Sequence, residues 1–336
     1  MNSPSNVRRH FLTSSTTAIT AGALSAGVVG SAVVGGAVVG GGAMALQTQA
    51  AHAAAEHKPW PKFRYCLNTS TINGGEVPVR EQIQIAAKAG YDAIELWLRD
   101  ITKYVEQGGK PAELAKEISD LGLGLDSAIA FGSWIVDDEQ KRAAGLEQCR
   151  RDMELVRDLG GRRIAAPPVG ATGEPKLSLD AVTERYLRLI EIGAECDVAP
   201  QVELWGFSLN MAMLPEVLYV AAAANHPNAC LLLDIYHMYK GGSDFTNIGF
   251  VPGTKLHCLH MNDYPATPAR AEINDAARVY PGDGVAPIAE ILQALVANGF
   301  NGTLSLELFN REYWKLPALE VAKTGLEKMK RVSQPA

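Results

Sequence analysis

Short apolar segments alternate with longer amphipathic segments along the chain from Pro61 onward. Each apolar segment is six to eight residues long and ends in polar or turn-forming residues, a pattern that predicts buried β-strands. Eight such segments follow one another, at residues 63–68, 93–98, 123–130, 162–168, 199–205, 230–236, 256–263 and 302–309.

The stretches between these predicted strands have the spacing of amphipathic helices. The clearest examples span residues 79–90, 141–160 and 284–299. Each of them closes with a glycine, the residue that most easily takes the left-handed conformation found at helix ends. The sixth connection, residues 239–255, is irregular and is predicted to hold at most a short helix.

Eight strands that alternate with helices predict an α/β protein with a parallel sheet. The length of this region suits a closed (β/α)8 barrel, or TIM barrel, which we predict for residues 61–332. An open, doubly wound sheet is the alternative. It is less favoured because no G-x-G-x-x-G sequence follows the first strand.

The first 55 residues have a different composition and are left out of the fold prediction. Arg8 and Arg9 precede a long run rich in Gly and Ala, and no charged residue follows until Glu56. This segment resembles a twin-arginine export signal with a cleavage site near residues 51–53. We therefore predict a periplasmic or extracellular protein without a stable membrane partner. An uncleaved membrane anchor is the alternative, although its glycine content makes a poor anchor.

Charge and cysteine content exclude some classes of function. The 31 Lys and Arg residues against 37 Asp and Glu residues give a formal net charge of −6, without a basic block, which argues against a nucleic-acid partner. The five cysteines include no C-x-x-C pair, so they support neither a disulfide framework nor a zinc knuckle.

Polar residues occur at the ends of several predicted strands, where a barrel builds its active site. They are Glu95, Glu203, Asp234, His260, Asn262, Asp263 and Glu307. Several buried carboxylates at one place repel one another unless a cation neutralises them. Two Glu, one Asp and one His predict a divalent ion, Mn²⁺, Co²⁺ or Mg²⁺, with Zn²⁺ as an alternative. Taken alone, each residue has a structural explanation; Glu95, for example, suits a salt bridge inside the barrel.

Five short motifs, taken in their order along the chain, point to a known protein family. They are VELWG (202–206), LLLDIYHMY (231–239), HCLHMNDY (257–264), RVYPGDG (278–284) and LSLELF (304–309). With them, residues 61–332 resemble the sugar phosphate isomerase/epimerase family of xylose isomerase-like TIM barrels, which includes tagatose 3-epimerase-type enzymes and inosose dehydratase. The resemblance implies that the metal ligands are Glu203, Asp234, His260 and Glu307.

The same resemblance implies an isomerase or epimerase that acts on a sugar, keto-sugar or polyol. Glu203 and Glu307 are then the catalytic residues that remove and return a proton next to a carbonyl, through an enediolate. Candidate substrate-binding residues are His237, Trp205, Asn262 and Arg278, although an Arg before a turn is as often structural.

Several alternatives stay open at this stage. Leu209 and Ala266 stand where tagatose-type epimerases carry a Glu and an Arg. The substrate of those epimerases is therefore not assumed for this protein. The same residues would also serve a lyase or dehydratase acting on a keto-sugar, keto-glycoside or inosose. A non-catalytic sugar-binding barrel and a DNA-repair endonuclease are less favoured, the latter because the chain is acidic. Self-association into a homo-oligomer is left open.

Overall fold

The computed structural model describes residues 60–72 and 77–334, and the predicted signal at residues 1–55 lies outside them. The eight strands are β1 (Arg64–Asn68), β2 (Ala93–Trp97), β3 (Gly124–Ile129), β4 (Arg163–Ala166), β5 (Ala199–Glu203), β6 (Cys230–Asp234), β7 (Leu256–Met261) and β8 (Thr303–Leu306). The α-helices are α1 (Val79–Ala89), α2 (Leu98–Glu106), α3 (Pro111–Asp120), α4 (Glu139–Asp158), α5 (Leu179–Cys196), α6 (Leu214–Ala223), α7 (Ile235–Gly241), α8 (Ile288–Ala297) and α9 (Ala318–Val332).

All seven strand ladders are parallel, and the strands follow the order β3-β2-β1-β8-β7-β6-β5-β4. The two strands at the ends of this order, β3 and β4, also pack beside each other, so the sheet forms a nearly closed barrel. The predicted (β/α)8 fold is therefore confirmed. In such a barrel the carboxyl ends of all eight strands lie on the same face.

Apolar side chains form two separate clusters. The larger cluster lies between the sheet and the helices around it, as expected for strands that are covered on both faces. The smaller cluster lies inside the barrel and contains Trp97, Ile129, Ala165, Leu232 and Cys258, with Phe309 packed against it. Inward-facing positions recur at every second residue of a strand, and several of the remaining ones are polar.

The predicted strands extend too far at their carboxyl ends. The sixth was predicted to run to residue 236, but β6 ends at Asp234 and α7 begins at the next residue. The Asp234 carboxylate accepts a hydrogen bond from the His237 backbone N–H, which starts the helix. Apolar residues thus continue past the end of β6 into α7. A hydrophobic period of two residues does not show where the strand itself ends.

The helix-closing glycines are confirmed. Residues 90, 160 and 299 all have a left-handed backbone, with φ of 92°, 86° and 89°. The seven-residue α7 lies between β6 and β7 and begins before the predicted irregular connection at 239–255, which also holds two short 3₁₀ segments. None of the helices in residues 60–72 and 77–334 has the length and hydropathy to cross a membrane.

Candidate active site

Strands β5 to β8 each contribute one side chain to the same place at the carboxyl end of the barrel. Glu203 and Asp234 are the last residues of β5 and β6, His260 is the last but one of β7, and Glu307 directly follows β8. Each lies two residues after another inward position, so the alternation of the strand turns all four towards the barrel axis. The four residues that the sequence predicts as metal ligands therefore end on the same face.

Three of these residues form a compact group of ligand atoms. The Nδ1 atom of His260 lies 3.1 Å from Oε2 of Glu307 and 3.7 Å from Oδ2 of Asp234. The ligand atoms of these three residues all lie within 4.8 Å of one another, and all three are buried. Glu203 lines the cavity above this group, together with Glu307.

Glu95 orients the imidazole of His260 from the opposite side. Its Oε2 atom lies 3.0 Å from Nε2 of His260 and also accepts hydrogen bonds from Asn68 and Ser305. With a proton on Nε2, the lone pair of Nδ1 faces Asp234 and Glu307. A carboxylate that holds the outer nitrogen of a ligand histidine is the usual arrangement in metal sites.

Glu95, His260 and Cys258 make a second close group of potential ligands. Burial is the main cause that raises the pKa of the Cys258 thiol well above its usual value, so this sulfur stays protonated. Because the Glu95 carboxylate already accepts bonds from Asn68, Ser305 and His260, this group serves as the hydrogen-bonded support beneath the site.

Arg278 is fully buried and donates hydrogen bonds to the carboxylates of two predicted metal ligands. Its Nη1 atom donates to Oδ2 of Asp234 and Oε2 of Glu307, both at 2.9 Å. Its Nη2 atom lies 2.5 Å from Oδ1 of Asp275 and 3.1 Å from Nε2 of His237. Because a guanidinium only donates, this contact makes Nε2 of His237 an acceptor. The substrate role predicted for Arg278 stays a prediction, and its contacts here are with other site residues.

The loop that carries Arg278 is fixed by Asp263. Backbone hydrogen bonds join Asp263 and Val279 in both directions, and the Asp263 carboxylate accepts from the backbone N–H groups of residues 282, 284 and 286. Gly284 is required here, since a Cβ at this position would lie 2.3 Å from Oδ1 of Asp263. The PGDG sequence thus sets the position of the buried guanidinium.

The residues present fit a divalent cation. Nδ1 of His260 is buried without a hydrogen-bond partner, although it faces two carboxylates that have only acceptor oxygens. Four buried carboxyl groups, Glu95, Glu203, Asp234 and Glu307, lie at this end of the barrel, and the buried guanidinium of Arg278 pairs with Asp234 and Glu307. One imidazole and several carboxylate oxygens form the kind of ligand set that binds divalent metals.

The surroundings shift the pKa values of the site in opposite directions. Desolvation is the main cause that raises the pKa of Glu203 well above its usual range. Burial acts the same way on Glu307, but His260 and Arg278 outweigh it and lower its pKa. Burial alone would lower the pKa of His260, whereas Glu307 and Glu95 raise it well above normal. The two glutamates differ because Glu307 has the cationic partners His260 and Arg278 beside it, whereas desolvation dominates at Glu203.

His237 and Asn262 stand next to this group. His237 lines the cavity, and burial lowers its pKa to about 4, so its imidazole is neutral. Asn262 donates to Oδ2 of Asp234 at 2.8 Å and accepts from the backbone N–H of Tyr236. Asn262 thereby orients a predicted metal ligand, and its predicted contact with the substrate stays a prediction.

A cavity of about 460 Å³ lies above the carboxylates. Trp205, the fourth residue predicted to bind substrate, lines it, as do five further aromatic residues and Glu203, His237 and Glu307. The other aromatic residues are Trp97, Phe131, Phe207, Phe309 and Trp314.

The sequence interpretation missed several residues that build the site. Asn68 donates to both Glu95 and Glu307, and its position at the end of β1 was a signal of the same kind as the others. Phe131 and Phe207 lie in loops after β3 and β5, and Asp275 lies in a loop before Arg278. No strand pattern marks loop residues, so only their spatial position identifies them.

Comparison with known proteins shows to which family the chain belongs. The model of the xylose isomerase-like TIM barrel family matches residues 83–332, so the chain belongs to that family. The IolI protein, whose crystal structure contains a zinc atom, superposes with a TM-score of 0.74 at 23% identity, covering 81% of this chain and 98% of that one.

Curated relatives at the sequence level include isomerases, epimerases and dehydratases. Inosose isomerase of Halalkalibacterium halodurans is 33% identical over 78% of this chain and 94% of its own length. L-ribulose 3-epimerase of Mesorhizobium japonicum is 30% identical over 67% and 73%. A 3-dehydroshikimate dehydratase of Pseudomonas aeruginosa is 26% identical over 74% of this chain, which spans only 39% of that enzyme. The relatives are thus named isomerases and epimerases, with dehydratases as a second group, in agreement with the sequence prediction.

Proposed function

We propose that this protein is a divalent-metal-dependent isomerase or epimerase of a sugar, keto-sugar or polyol, acting by proton transfer next to a carbonyl. The observation that supports it most is the buried group of Asp234, His260 and Glu307 beside Glu203 at the carboxyl end of the barrel. The chain also aligns with inosose isomerases and L-ribulose 3-epimerase over most of their lengths.

Glu203, Asp234, His260 and Glu307 would hold the metal ion. When bound, it polarises a substrate carbonyl and increases the acidity of the adjacent C–H. The IolI crystal structure contains zinc, whereas the oxygen-rich set here also suits Mn²⁺, Co²⁺ and Mg²⁺. The identity of the metal is part of the proposal.

The chain itself supplies the groups that move the proton. Glu203 on β5 and Glu307 after β8 both line the cavity, so a substrate between them meets a carboxylate from either strand. Asn68 and Arg278 each donate to Glu307 and keep its carboxylate in place. Such positioned general acids and bases contribute on the order of 10²–10⁴-fold to rate.

A solvent-exchange experiment tests this function. Wild-type protein saturated with Mn²⁺ or Co²⁺ is expected to bind one divalent ion per chain. It should also incorporate deuterium from D₂O at a carbon next to the carbonyl of an inosose or ketose. Glu203→Gln and Glu307→Gln should each reduce this exchange by about 10²-fold or more.

Glu290→Gln is the matched control, because Glu290 is an exposed carboxylate in the first turn of α8, and it should leave exchange unchanged. Exchange that survives both site variants would contradict the proposal.

A dehydratase is the second candidate, because the 3-dehydroshikimate dehydratases align with 74% of this chain. Elimination of a β-substituent requires the same abstraction of a proton next to a carbonyl. Elimination produces a conjugated product with a new ultraviolet absorbance, whereas epimerisation changes only the stereochemistry of the substrate. A pure sugar-binding barrel would bind ligand without either reaction.

Export by a twin-arginine signal in residues 1–55 is a further part of the proposal, supported by Arg8, Arg9 and the uncharged run that follows. Replacing both arginines by Lys should abolish accumulation outside the cytoplasm in cell fractionation. Lys58→Arg, outside the predicted signal, should have no effect. Undiminished export of the Arg8→Lys, Arg9→Lys variant would exclude this pathway.

A further inference from the structure

Four aromatic rings form a continuous strip along one side of the cavity. Trp97 at the end of β2 lies 5.2 Å from Phe131, Phe131 lies 6.1 Å from Trp205, and Trp205 stacks on Phe207 at 5.4 Å, all between ring centroids. We call Trp97, Phe131, Trp205 and Phe207 the aromatic wall. Since they come from the ends of three different strands, tertiary structure brings them together.

The aromatic wall exposes more apolar surface than the fold requires. Phe131 is 42% exposed and Phe207 is 51% exposed, although both lie over a cavity rather than in the core. Burying such a side chain stabilises a protein by about 1.5–3 kcal/mol, so two open phenyl rings leave free energy available for a ligand. Exposed apolar patches with polar neighbours commonly mark binding grooves.

The remaining lining residues offer little positive charge to an anionic ligand. Among them, Arg311 is the one cation. Arg278 is buried beneath the cavity and already engages Asp234, Glu307 and Asp275. Besides the metal ion proposed above, a phosphate or carboxylate on the substrate would therefore meet Arg311 alone as a positive group at these residues.

The size of the cavity exceeds what a single polyol ring fills. Its volume of about 460 Å³ lies in the range of about 300–1,000 Å³ that encloses ligands of drug size, which are larger than a hexose. The cavity therefore has room for a second group beside a polyol ring held at Glu203 and Glu307, and Phe131 and Phe207 line the same cavity. These rings offer flat apolar surfaces on which another flat ring stacks.

We propose that the substrate is an uncharged polyol ring that bears the carbonyl group and also carries a second, flat apolar ring, such as the aryl group of a keto-form aryl glycoside, which lies on the aromatic wall. This inference rests on the proposed function, because Glu203 and Glu307 define the place of the polyol ring. It narrows the substrate class from free sugars and sugar phosphates to uncharged sugar derivatives with an aromatic substituent.

Binding of matched glycosides tests the inference without any turnover. Phenyl and methyl β-glycosides of glucose, galactose and mannose are titrated into Mn²⁺-saturated protein by calorimetry. For at least one sugar, the phenyl glycoside should bind about tenfold or more tightly than its methyl counterpart, which corresponds to about 1.4 kcal/mol. Phenol alone should bind far more weakly than that phenyl glycoside. Equal affinities for all three pairs, no binding of any phenyl glycoside, or phenol binding as tightly would overturn the inference.

Variants of the wall locate the contact. Phe131→Ala with Phe207→Ala should reduce the phenyl-to-methyl preference to within about threefold, while the affinity for the methyl glycoside stays within about twofold. Phe250→Ala is the matched control, because Phe250 is 77% exposed and does not line this cavity, and the preference should stay. A preference that survives the double substitution would overturn the assignment to the aromatic wall.

The two proposals fail in different ways. If phenyl preference is found but Glu203→Gln retains full solvent exchange, the catalytic proposal is wrong and the aryl subsite stands. If exchange depends on Glu203 but phenyl and methyl glycosides bind alike, the subsite is wrong and the catalytic proposal stands.

Discussion

Two histidines on β7, only three residues apart, lie towards opposite ends of the barrel and have different electrostatic surroundings. His260 lies among Glu307, Glu95 and Asp234, and the first two carboxylates raise its pKa well above normal against the effect of burial. His257 lies near the amino end and is half-buried. Burial, with the nearby cations Arg163 and Lys255, lowers its pKa to about 4. The same residue type on the same strand therefore favours a protonated ring at one end of the barrel and a neutral ring at the other.

The difference shows how charge is distributed in a parallel barrel. Arg163 begins β4 and Lys255 directly precedes β7, so these cations lie at the amino ends of strands. Glu203, Asp234 and Glu307 lie at carboxyl ends. All strands run the same way, so residues at equivalent strand positions gather at the same end. The carboxylates at the carboxyl end form a ligand set that suits a cation, whereas Arg163 and Lys255 at the amino end disfavour protonation of His257.

The largest expected effect comes from removing the buried guanidinium. Arg278→Met should reduce the free energy of unfolding of metal-free protein by about 3–5 kcal/mol, because Asp234 and Glu307 lose their shared cation in a buried place. Saturating Mn²⁺ should recover part of this loss. Urea unfolding with and without metal measures both quantities.

Arg311→Met is the control for the guanidinium, because Arg311 lines the same cavity but is exposed. Its substitution should change stability by less than about 0.5 kcal/mol. Similar losses in the two variants would show that the buried ion pairs do not stabilise this end of the barrel.

A smaller effect is expected from the residue that orients His260. Glu95→Gln keeps the size of the side chain but removes the charge next to Nε2, so metal affinity should decrease by about 10–100-fold. Competition with a chelator measures the dissociation constant. Ser305→Ala removes one hydrogen bond to Glu95 but leaves its contact with His260, and should have a much smaller effect. Unchanged affinity in Glu95→Gln would separate Glu95 from the metal site.

At the amino end, His257 should make stability depend on pH. Its pKa is lower in the folded state than its unfolded value of about 6.5, so its stabilising contribution is present above about pH 6.5 and is lost as pH decreases towards 4. His257→Gln should therefore lose less stability than wild type over this interval. Urea unfolding at several pH values gives the comparison. Parallel pH profiles for the two proteins would contradict it.

The smallest expected effect is on the pKa of His257 itself. Arg163→Gln should raise it, because one of the two cations that disfavour the protonated ring is removed. An NMR titration of the imidazole measures the change. Arg162→Gln, the exposed neighbour, should leave the pKa nearly unchanged; equal shifts in the two variants would exclude a specific effect of Arg163.

Much of the barrel follows from local pattern. All eight predicted strands occur, and the helices at 79–90, 141–160 and 284–299 agree with α1, α4 and α8 to within a few residues. The errors lie at the carboxyl ends of strands, where apolar residues of the following segment, such as Ile235 at the start of α7, continue the strand pattern. A period of two residues identifies a strand, but the start of α7, where the Asp234 carboxylate accepts a hydrogen bond from the His237 backbone N–H, depends on the three-dimensional turn.

The candidate metal ligands were inferable because each lies at the end of an apolar run or immediately after one. Glu203, Asp234, His260 and Glu307 interrupt sequence that is otherwise buried, and isolated buried charge is costly enough to require a partner. The role of Glu95 as a support for His260 was not inferable. The sequence shows only that it is polar and buried, whereas the 3.0 Å contact with Nε2 decides which nitrogen of His260 faces the other carboxylates.

By itself the sequence determined the alternation of strands and helices, hence the barrel, and which strand ends carry carboxylates, because hydrophobic period and the cost of buried charge act locally. Only the tertiary structure decided what those residues meet. It placed Arg278 between Asp234 and Glu307, and it joined Phe131 and Phe207 from separate loops into one wall. Such contacts link positions far apart in the chain, so their distances follow from the closure of the barrel and not from any local pattern of residues.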